Sequence, residues 1–329
     1  MIQLMRIKHL FFFCMLFFTS PLLSQDSIFL EKIKLPSFID TLFIDRDLNN
    51  WSVRLFTNYK NNRFLLNSGD ENLVYKPNNP IGVGFGLGNR KVILDIAFNI
   101  KSKDKEPTER FNLLVTMMLH KHHINLFFYS YQGYNLNYEN RETFRSDIRD
   151  FSTGGDYMYI FNSSEFSIAA MKSGLVRQKK AAITFGLGGF LYLTRTSADS
   201  SIVPPELYPY FNEESRIVEM SGIGAGVHAS FSAMVPFLKN FFASAAITPG
   251  VGLMYKFVET ESGSYHPEDP FVYKVDFSGI LGYNANKFYI NFTVGYVLFR
   301  TSLDHSNWIH NNTVKSKLAI GYKIRGKSR

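Results

Sequence analysis

Apolar residues occupy every second position in long stretches of this chain, from Trp51 almost to its end. In 222–235, one set of alternate positions holds only Ile, Ala, Val and Phe, while the other set holds mostly Gly and Ser. A period of two is typical of a β-strand, because successive side chains point to opposite faces of a sheet. Since the pattern recurs along the chain, the sequence predicts an all-β fold.

The predicted strands are longer than those of most soluble proteins. Many of them run for 10 to 14 residues, whereas globular strands usually run about 5–6 residues and membrane strands about 9–11. A soluble β-sandwich is the alternative, since its strands alternate in the same way. Twelve strands are predicted, at 51–60, 81–88, 92–100, 112–120, 124–132, 157–168, 182–195, 222–235, 241–257, 271–283, 288–298 and 314–324.

The connections between these strands alternate in length, as they do in outer-membrane barrels with short periplasmic turns and long outer loops. The long connections are predicted at 61–80, 101–111, 133–156, 196–221, 258–270 and 302–312. The short ones are predicted at 88–91, 121–123, 236–240 and 284–287, with 169–181 as a longer turn on the same side. The expected fold is therefore a single antiparallel, up-and-down transmembrane β-barrel over 51–325, with both ends in the periplasm.

The first residues have the pattern of an export signal. Arg6 and Lys8 precede an apolar run over 10–18, which is too short to cross a bilayer as a helix. We expect residues 1–24 to be a cleaved signal peptide, 25–50 a periplasmic segment and 326–329 a basic tail. Cys14, the single cysteine, falls within the apolar run, so the chain has no disulfide framework. The expected location is the cell outer membrane.

The strand faces predict where the charges of this basic chain lie. The formal net charge is +8. The inward faces of the first and last strands carry Arg54, Lys60, Lys315, Lys317, Lys323 and Arg325. Because closure makes these two strands neighbours, the sequence predicts a cationic seam in the lumen. Either Asp95 and Asp276 neutralise this seam in a plugged interior, or the seam makes an open pore prefer anions.

Two groups of polar residues have spacings that also occur in catalytic sites or metal sites. His228 and Ser230 share one strand face and could belong to a lipid-hydrolysing site, but that face points inward and no acid is placed to orient the histidine. His120, His122 and His123 crowd one turn without a complete set of metal ligands. Neither group predicts a catalytic or metal site.

Two of the long predicted loops, 133–156 and 196–221, are rich in Tyr, Arg and Phe. Loops on a rigid scaffold often carry recognition, and this composition suits a binding surface. The same residues could instead fold over the mouth of the barrel and cap it. Both interpretations stay open at the level of sequence.

Several blocks of sequence resemble a known family. They are Tyr131-Gln-Gly-Tyr134, Ile148-Arg-Asp150, Tyr157-Met-Tyr-Ile-Phe-Asn162, Glu165-Phe-Ser-Ile-Ala-Ala170, Arg177-Gln-Lys-Lys180 and Phe185-Gly-Leu-Gly-Gly189. Together they resemble the domain-of-unknown-function family 4421, found mainly in bacteria of the Bacteroidota group, over roughly 45–325. Asp150 and Ala181 stand where the family has Pro and Ser. The resemblance implies an exported outer-membrane β-barrel and brings no catalytic or ligand residue.

The expected function is that of a non-enzymatic outer-membrane barrel with a structural or binding role. A small diffusion channel is the alternative, and a lipid-modifying hydrolase is a more distant one. Outer-membrane lipid and the barrel-insertion machinery are the expected partners. No cofactor and no metal are expected. Nucleic acid is not expected either, because no recognition helix, zinc spacing or stacking platform accompanies the positive charge.

Overall fold

The computed structural model describes residues 40–46, 51–100, 106–138 and 141–325. The strands are β1 (Ile44–Arg46), β2 (Trp51–Ser68), β3 (Glu71–Lys76), β4 (Ile81–Asn89), β5 (Val92–Asn99), β6 (Glu109–Leu119), β7 (His122–Tyr138), β8 (Arg141–Ile160), β9 (Val176–Gln178), β10 (Ala182–Ser197), β11 (Ile217–Phe237), β12 (Phe241–Thr260), β13 (Ser264–Tyr265), β14 (Phe271–Asn284), β15 (Phe288–Ser302) and β16 (Asn307–Ile324). The connections contain the helix α1 (Ile168–Lys172) and the 3-10 helices Pro205–Tyr210 and Glu213–Ser215. Within the described ranges, no helix is long and apolar enough to cross a membrane.

Twelve of the strands close into one ring in which all neighbouring strands are antiparallel and follow chain order. The order around the ring is β2, β4, β5, β6, β7, β8, β10, β11, β12, β14, β15 and β16. The ring closes between β16 and β2, whose register runs from Ile324 opposite Trp51 to Asn307 opposite Ser68. The prediction of an all-β, up-and-down barrel of about twelve strands is confirmed.

The alternation in the sequence separates an apolar exterior from a polar interior. Leu55 is 73% exposed, whereas its neighbour Arg54 is 7% exposed. Exposed aliphatic and aromatic side chains surround the barrel, among them Val53, Leu55, Val83, Phe85, Leu87, Phe185, Leu187, Ile223, Val227, Val251, Leu253, Phe277, Leu281, Phe292, Leu318 and Ile320. We call this surface the apolar belt. Soluble monomers rarely expose so large an apolar surface, whereas transmembrane barrels carry a lipid-facing band of this kind.

Aromatic rings lie at both edges of the apolar belt. Phe241, Tyr283 and Phe288 are in contact near the end of the barrel that has the tight turns, which we call the short-turn end. Phe128 and Phe151 meet edge to face near the opposite, long-loop end. Aromatic girdles at these two positions are typical of membrane barrels, because an amphipathic ring suits the interface between lipid and water.

Several strands continue past the belt at the long-loop end, which corrects the predicted boundaries. β7 and β8 form a hairpin where a loop over 133–156 was predicted. The strand predicted at 157–168 is also wrong, because β8 starts at Arg141 and ends at Ile160. β3 pairs with both β2 and β7, so it bridges the gap above the shorter β4, β5 and β6. The sequence did not predict this extension, because beyond the apolar belt the outward residues are also polar and the alternation of apolar and polar residues ends.

A hydrophobic core fills the inside of the barrel at the long-loop end. Phe64 stacks on Tyr75 with ring centroids 4.4 Å apart, and Tyr134 meets Phe64 edge to face at 5.2 Å. Ile202 and Phe211, from the connection between β10 and β11, are buried in the same cluster. Residues of both predicted loops, 133–156 and 196–221, therefore pack inward and cap the barrel.

The connection between β8 and β10 folds into the short-turn end of the barrel. We call residues 161–181 the plug; it contains α1 and β9, and β9 pairs with β1. Phe166 and Met171 of the plug are buried in one cluster with Met234, Phe242 and Ile280 of the barrel wall. The predicted linker 169–181 does lie at this end, but it turns into the lumen because folding inward removes its apolar side chains from water.

Two predicted segments, the signal peptide over 1–24 and the tail over 326–329, lie outside the described residues. So does most of the predicted periplasmic segment 25–50. Its described part, 40–46, includes β1 and is tied to the plug by the pairing of Ile44 with Gln178.

Candidate functional site

The predicted cationic seam lies where β2 meets β16. Lys60 and Lys315 are direct register partners across this junction. Arg54, Lys60 and Lys323 are buried in the interior, and Lys315 and Lys317 are half-buried there. The structure therefore brings five of the six predicted residues to one stretch of inner wall. The sixth, Arg325, differs from the prediction because it follows the end of β16 and is exposed.

Arg54, Asp95 and Lys317 form a buried ionic cluster. The Arg54 guanidinium donates hydrogen bonds from Nε and Nη2 to the carboxylate of Asp95 at 2.8 and 2.7 Å. The Nζ atom of Lys317 lies 3.0 Å from the same carboxylate. Of the two acids expected to neutralise the seam, Asp95 is thus placed to do so, whereas Asp276 forms no ion pair within the described part of the chain. With two cations and one anion, the cluster keeps a positive charge.

Lys60 is buried without an ion pair to any described carboxylate. Its Nζ donates to Oδ1 of Asn112 at 2.7 Å and lies 3.1 Å from the centroid of the Tyr129 ring. Nη1 of Arg110 donates to the backbone oxygens of Lys60 and Pro80 at 3.1 and 3.0 Å. An amide oxygen and an aromatic face therefore replace the carboxylate that a buried ammonium usually needs.

The middle of the barrel retains space between the two closed ends. The inward side chains of Asp156 and Lys317 keep 19% and 25% of their surface exposed. The stem of Lys315 lies against Gly295 of the next strand. Lys172 projects from α1 to place Nζ 3.4 Å from Nε2 of His123. The interior at this height is therefore lined by charged groups and has room for water or small ions.

Side chains of the wall hold the plug by its backbone. Arg54, Asn291 and Asn284 donate hydrogen bonds to the carbonyl oxygens of Lys172, Met171 and Val176 at 2.8, 3.1 and 3.1 Å. Lys323 in turn donates to Oδ1 of Asn284 at 2.6 Å. Of the cationic seam, Arg54 thus contacts the plug directly and Lys323 contacts it through Asn284.

His228 and Ser230 do not form a nucleophile and base. Both side chains are buried in the interior. Oγ of Ser230 accepts a hydrogen bond from Thr248 at 3.0 Å, and Nε2 of His228 lies 3.0 Å from the carbonyl oxygen of Tyr157. The histidine is engaged by the backbone and the serine by a second hydroxyl group. No hydrogen bond joins His228 to Ser230 among the described contacts.

Asp156 is an interior acid that the sequence pattern did not predict. Its carboxylate contacts Nζ of Lys274 and lies 3.8 Å from Nδ1 of His228. Because the predicted loop 133–156 includes this residue, no strand face was predicted for it. The alternation along β8 could have identified it: Asp150, Ser152 and Asp156 lie at alternate positions that face inward, and Asp150 and Ser152 are both buried.

Two of the three histidines at the β6–β7 turn, His122 and His123, point to opposite sides of the barrel wall. Nδ1 of His122 lies 2.8 Å from Oη of Tyr157 on the outside of the barrel. His123 points inward to Lys172, since neighbours on a strand face opposite ways. Among the residues that the structure describes, no group of three or more His, Cys, Asp or Glu side chains could hold a metal ion.

Several solved outer-membrane structures are similar to this chain at very low identity. The outer membrane protease OmpT from Escherichia coli is 8% identical with a TM-score of 0.43, over 85% of this chain and 98% of that one. The β domain of the Bordetella autotransporter BrkA is 9% identical with a TM-score of 0.35, over 85% and 99%. The COG4313 outer membrane channel from Pseudomonas putida F1 is 8% identical with a TM-score of 0.31, over 85% and 97%. At such low identities and TM-scores, the similarity does not extend to activity or ligand.

No curated protein matches the sequence. A family described as "Domain of unknown function (DUF4421)" matches residues 38–324. This range includes the strand blocks, the plug and the interior residues described above. The match extends over most of the chain, and the protein therefore belongs to the DUF4421 family.

Proposed function

We propose that this protein is an outer-membrane β-barrel with a structural or binding role, and that it has neither an open pore nor a catalytic site. The observation that carries the proposal is the closure of the interior at both ends. The plug packs against the wall through Met171 at one end, and the core around Phe64 and Tyr75 fills the other. A permanent pore would need a continuous polar passage from one end of the barrel to the other, and the two apolar clusters interrupt it.

The apolar belt supports a membrane location. Its exposed Leu, Val, Ile and Phe side chains encircle the ring, while charged side chains such as Arg54 and Lys274 face the interior. A closed ring also satisfies the backbone hydrogen bonds of every strand without water, as hydrocarbon requires. Short turns in barrels of this kind face the periplasm, so we assign the plug to the periplasmic side and the long-loop end to the cell exterior.

The exterior end is the part of the barrel best suited to bind a partner. β2, β7 and β8 rise past the belt around their own hydrophobic core. A rigid core of this kind fixes the connecting segments at the outer surface, and loops fixed on a rigid scaffold are where binding residues concentrate. The barrel-insertion machinery and outer-membrane lipid remain the other expected partners.

Conductance tests the proposed closure directly. The wild-type barrel, folded into planar bilayers, is expected to show no steady conductance. A variant in which Gly/Ser linkers replace residues 164–179 and 199–215, and Ala replaces Phe64 and Tyr75, is expected to conduct, because the side chains that close the two ends are removed together. Migration of unboiled samples on a gel checks that both proteins fold as compact barrels. Steady conductance by the wild type would contradict the proposal.

A gated channel is the second candidate, and the charges of the interior favour it. Lys60 and Lys315 line the wall and form no ion pair with a described carboxylate, so a passage opened by movement of the plug and of the long-loop core would be electropositive. We expect the linker variant to prefer anions, as measured by reversal potentials in a salt gradient. Cation preference would exclude this candidate.

A lipid-modifying hydrolase has the least support. Ser230 is 9% exposed inside the barrel, far from the lipid-facing surface, and its hydroxyl group accepts from Thr248. If any lipase activity were found, the Ser230→Ala variant is expected to retain it. Loss of that activity in a folded variant would instead favour the hydrolase.

A further inference from the structure

Charge is distributed unevenly between the two ends of the barrel. Each tight turn at the short-turn end carries a basic residue and none carries an acidic one: Arg90 and Lys91 in β4–β5, Lys121 in β6–β7, Lys239 in β11–β12 and Lys287 in β14–β15. Most exposed acidic side chains lie instead at the long-loop end, including Glu213, Glu259, Glu261 and Glu268, whereas Asp45 of β1 is exposed beside the plug. The short-turn end is thus the electropositive face of the described barrel.

A cleft of about 140 Å³ opens on this electropositive face, between the plug and the β11–β12 turn. Its charged lining residues are Arg177 and Lys179 from the plug and Lys239 from the turn, and no acidic residue lines it. Asp45 of β1 lies opposite Arg177 in the β1–β9 pair, and Nζ of Lys179 donates to the carbonyl oxygen of Thr41 at 3.1 Å. No described salt bridge joins any of the three cations to a carboxylate, so with one acid beside three cations the cleft keeps a positive charge. Such a convergence of positive groups favours an anion with several oxygen atoms.

The remaining lining of the cleft is apolar and continuous with the lipid-facing belt. Phe241 is 39% exposed and belongs to the aromatic girdle of the short-turn end. Leu238, at the tip of the turn, is 81% exposed. An exposed leucine beside a lysine is unfavourable in water, but it suits the boundary between headgroups and acyl chains. The cleft therefore offers cations for a phosphate and apolar surface for the attached chains.

We propose that this cleft binds the headgroup of an anionic phospholipid from the inner leaflet of the outer membrane. Arg177, Lys179 and Lys239 surround the phosphate, and Leu238 and Phe241 contact the first part of the acyl chains. This inference rests on the proposed function, since it requires the short-turn end to lie at a membrane surface. The same charge pattern would attract an acidic peptide, but the exposed apolar side chains on the rim favour lipid.

The proposal predicts selective retention of an anionic lipid. The folded barrel in neutral detergent is incubated with phosphatidylglycerol or phosphatidylcholine, and bound lipid is counted by native mass spectrometry. The wild type is expected to retain phosphatidylglycerol at a concentration about tenfold lower than phosphatidylcholine, because charge-assisted hydrogen bonds distinguish the two. The triple variant R177Q/K179Q/K239Q is expected to lose this preference.

A matched control separates the cleft from the general charge of the rim. The variant K91Q/K121Q/K287Q removes three cations from the other tight turns and is expected to keep the preference. Equal loss in both variants, or no preference in the wild type, would overturn the proposal. Displacement of the lipid by an equimolar amount of inorganic phosphate or of a Glu-rich peptide would overturn it as well.

Folding is checked independently of lipid selectivity. All variants are expected to migrate as compact barrels in unboiled samples and to insert into phosphatidylcholine vesicles. If the triple variant fails to fold, the single variant Lys239→Gln replaces it in the test. This variant changes only one exposed turn residue and is expected to weaken the preference for phosphatidylglycerol several-fold. Failure of the wild type to insert into any vesicle would contradict the proposed function, whereas insertion without selectivity would contradict only the lipid site.

Discussion

Arg54 and Lys172 are joined by a hydrogen bond of 2.8 Å from Nη1 of the guanidinium to the carbonyl oxygen, although 118 positions separate them in the sequence. The same guanidinium makes two hydrogen bonds to Asp95. One side chain of β2 therefore contacts both the ionic cluster in the wall and the last residue of α1. Arg54 therefore takes part both in the ionic cluster of the lumen and in holding the plug.

Replacement of Arg54 by Met is expected to destabilise the barrel by about 1–3 kcal/mol. Lys317 still pairs with Asp95, but the carboxylate loses two hydrogen bonds and the carbonyl oxygen of Lys172 loses its donor. The free energy of unfolding in urea, measured in lipid vesicles, checks this value. Arg195→Met is the matched control, since Arg195 pairs with Glu219 while 61% exposed and exposed pairs contribute about 0–1 kcal/mol. Equal losses in the two variants would contradict the role given to Arg54.

Gly174→Ala is expected to displace the plug. Gly174 has a φ of +66°, and a β-carbon there would clash with the ring of Tyr289. Gly69→Ala serves as the control, because Gly69 has a φ of +57° and nothing within 4 Å of the added atom. Both variants share the backbone cost of about 1–2 kcal/mol. Only Gly174→Ala is expected to make the plug susceptible to added protease, and comparable cleavage in Gly69→Ala would refute the steric explanation.

The long-loop core is expected to depend strongly on Phe64. Phe64 is 1% exposed and stacks on Tyr75, so Phe64→Ala should cost about 3–5 kcal/mol through lost burial and a cavity. Phe98→Ala removes the same ring from the apolar belt, where Phe98 is 52% exposed. This control is expected to cost less, because no cavity forms. Urea unfolding followed by tryptophan fluorescence compares the two, and a larger loss at Phe98 would refute the prediction.

Acid is expected to loosen the connection between β10 and β11. Beyond the belt, Arg145 donates two hydrogen bonds of 2.8 Å to Asp147 and one of 3.0 Å to the carbonyl oxygen of Ser201. The hydrogen bonds from Arg145 lower the pKa of the Asp147 carboxyl below its ordinary 3.8. The stabilisation is therefore fully present above that ordinary value and is lost as the pH falls through the pKa of the folded state.

Hydrogen exchange of the connection at 198–203, followed from pH 6 to pH 2, measures this effect. In the wild type, protection is expected to fall at the acid end after correction for the intrinsic exchange rate. Asp147→Asn is expected to show low protection throughout, because a neutral amide does not titrate in this range. A variant that retains the wild-type pH profile would exclude Asp147 as the group responsible.

The ring of twelve strands could be predicted because the lipid-facing half of each strand follows a simple rule. Leu55, Val227 and Leu281 must all be apolar where they face hydrocarbon, so a period of two appears in the sequence. The predicted direction of Lys60 and Lys315 followed from the same rule. The rule fails beyond the belt, where β7 and β8 continue with polar outward residues and the prediction of a loop over 133–156 was wrong.

The plug could not be predicted for a different reason. Its apolar residues, such as Met171, are too few and too irregular to show a period, and their burial depends on wall residues such as Met234 and Phe242 from distant strands. The pairing of Asp156 with Lys274 could not be predicted either, because 118 positions separate the two residues. Contacts across the lumen follow from the diameter and closure of the ring, which no local pattern contains.

The amino-acid sequence by itself determined the all-β class, the strand number and the direction of each side chain within the belt, because a strand between lipid and lumen must alternate residue by residue. Only the tertiary structure decided what fills the lumen. Whether Arg54 faces water, Asp95 or the plug depends on which residues closure brings together, and hydrogen bonds between such distant residues are set by the folded geometry of the whole ring.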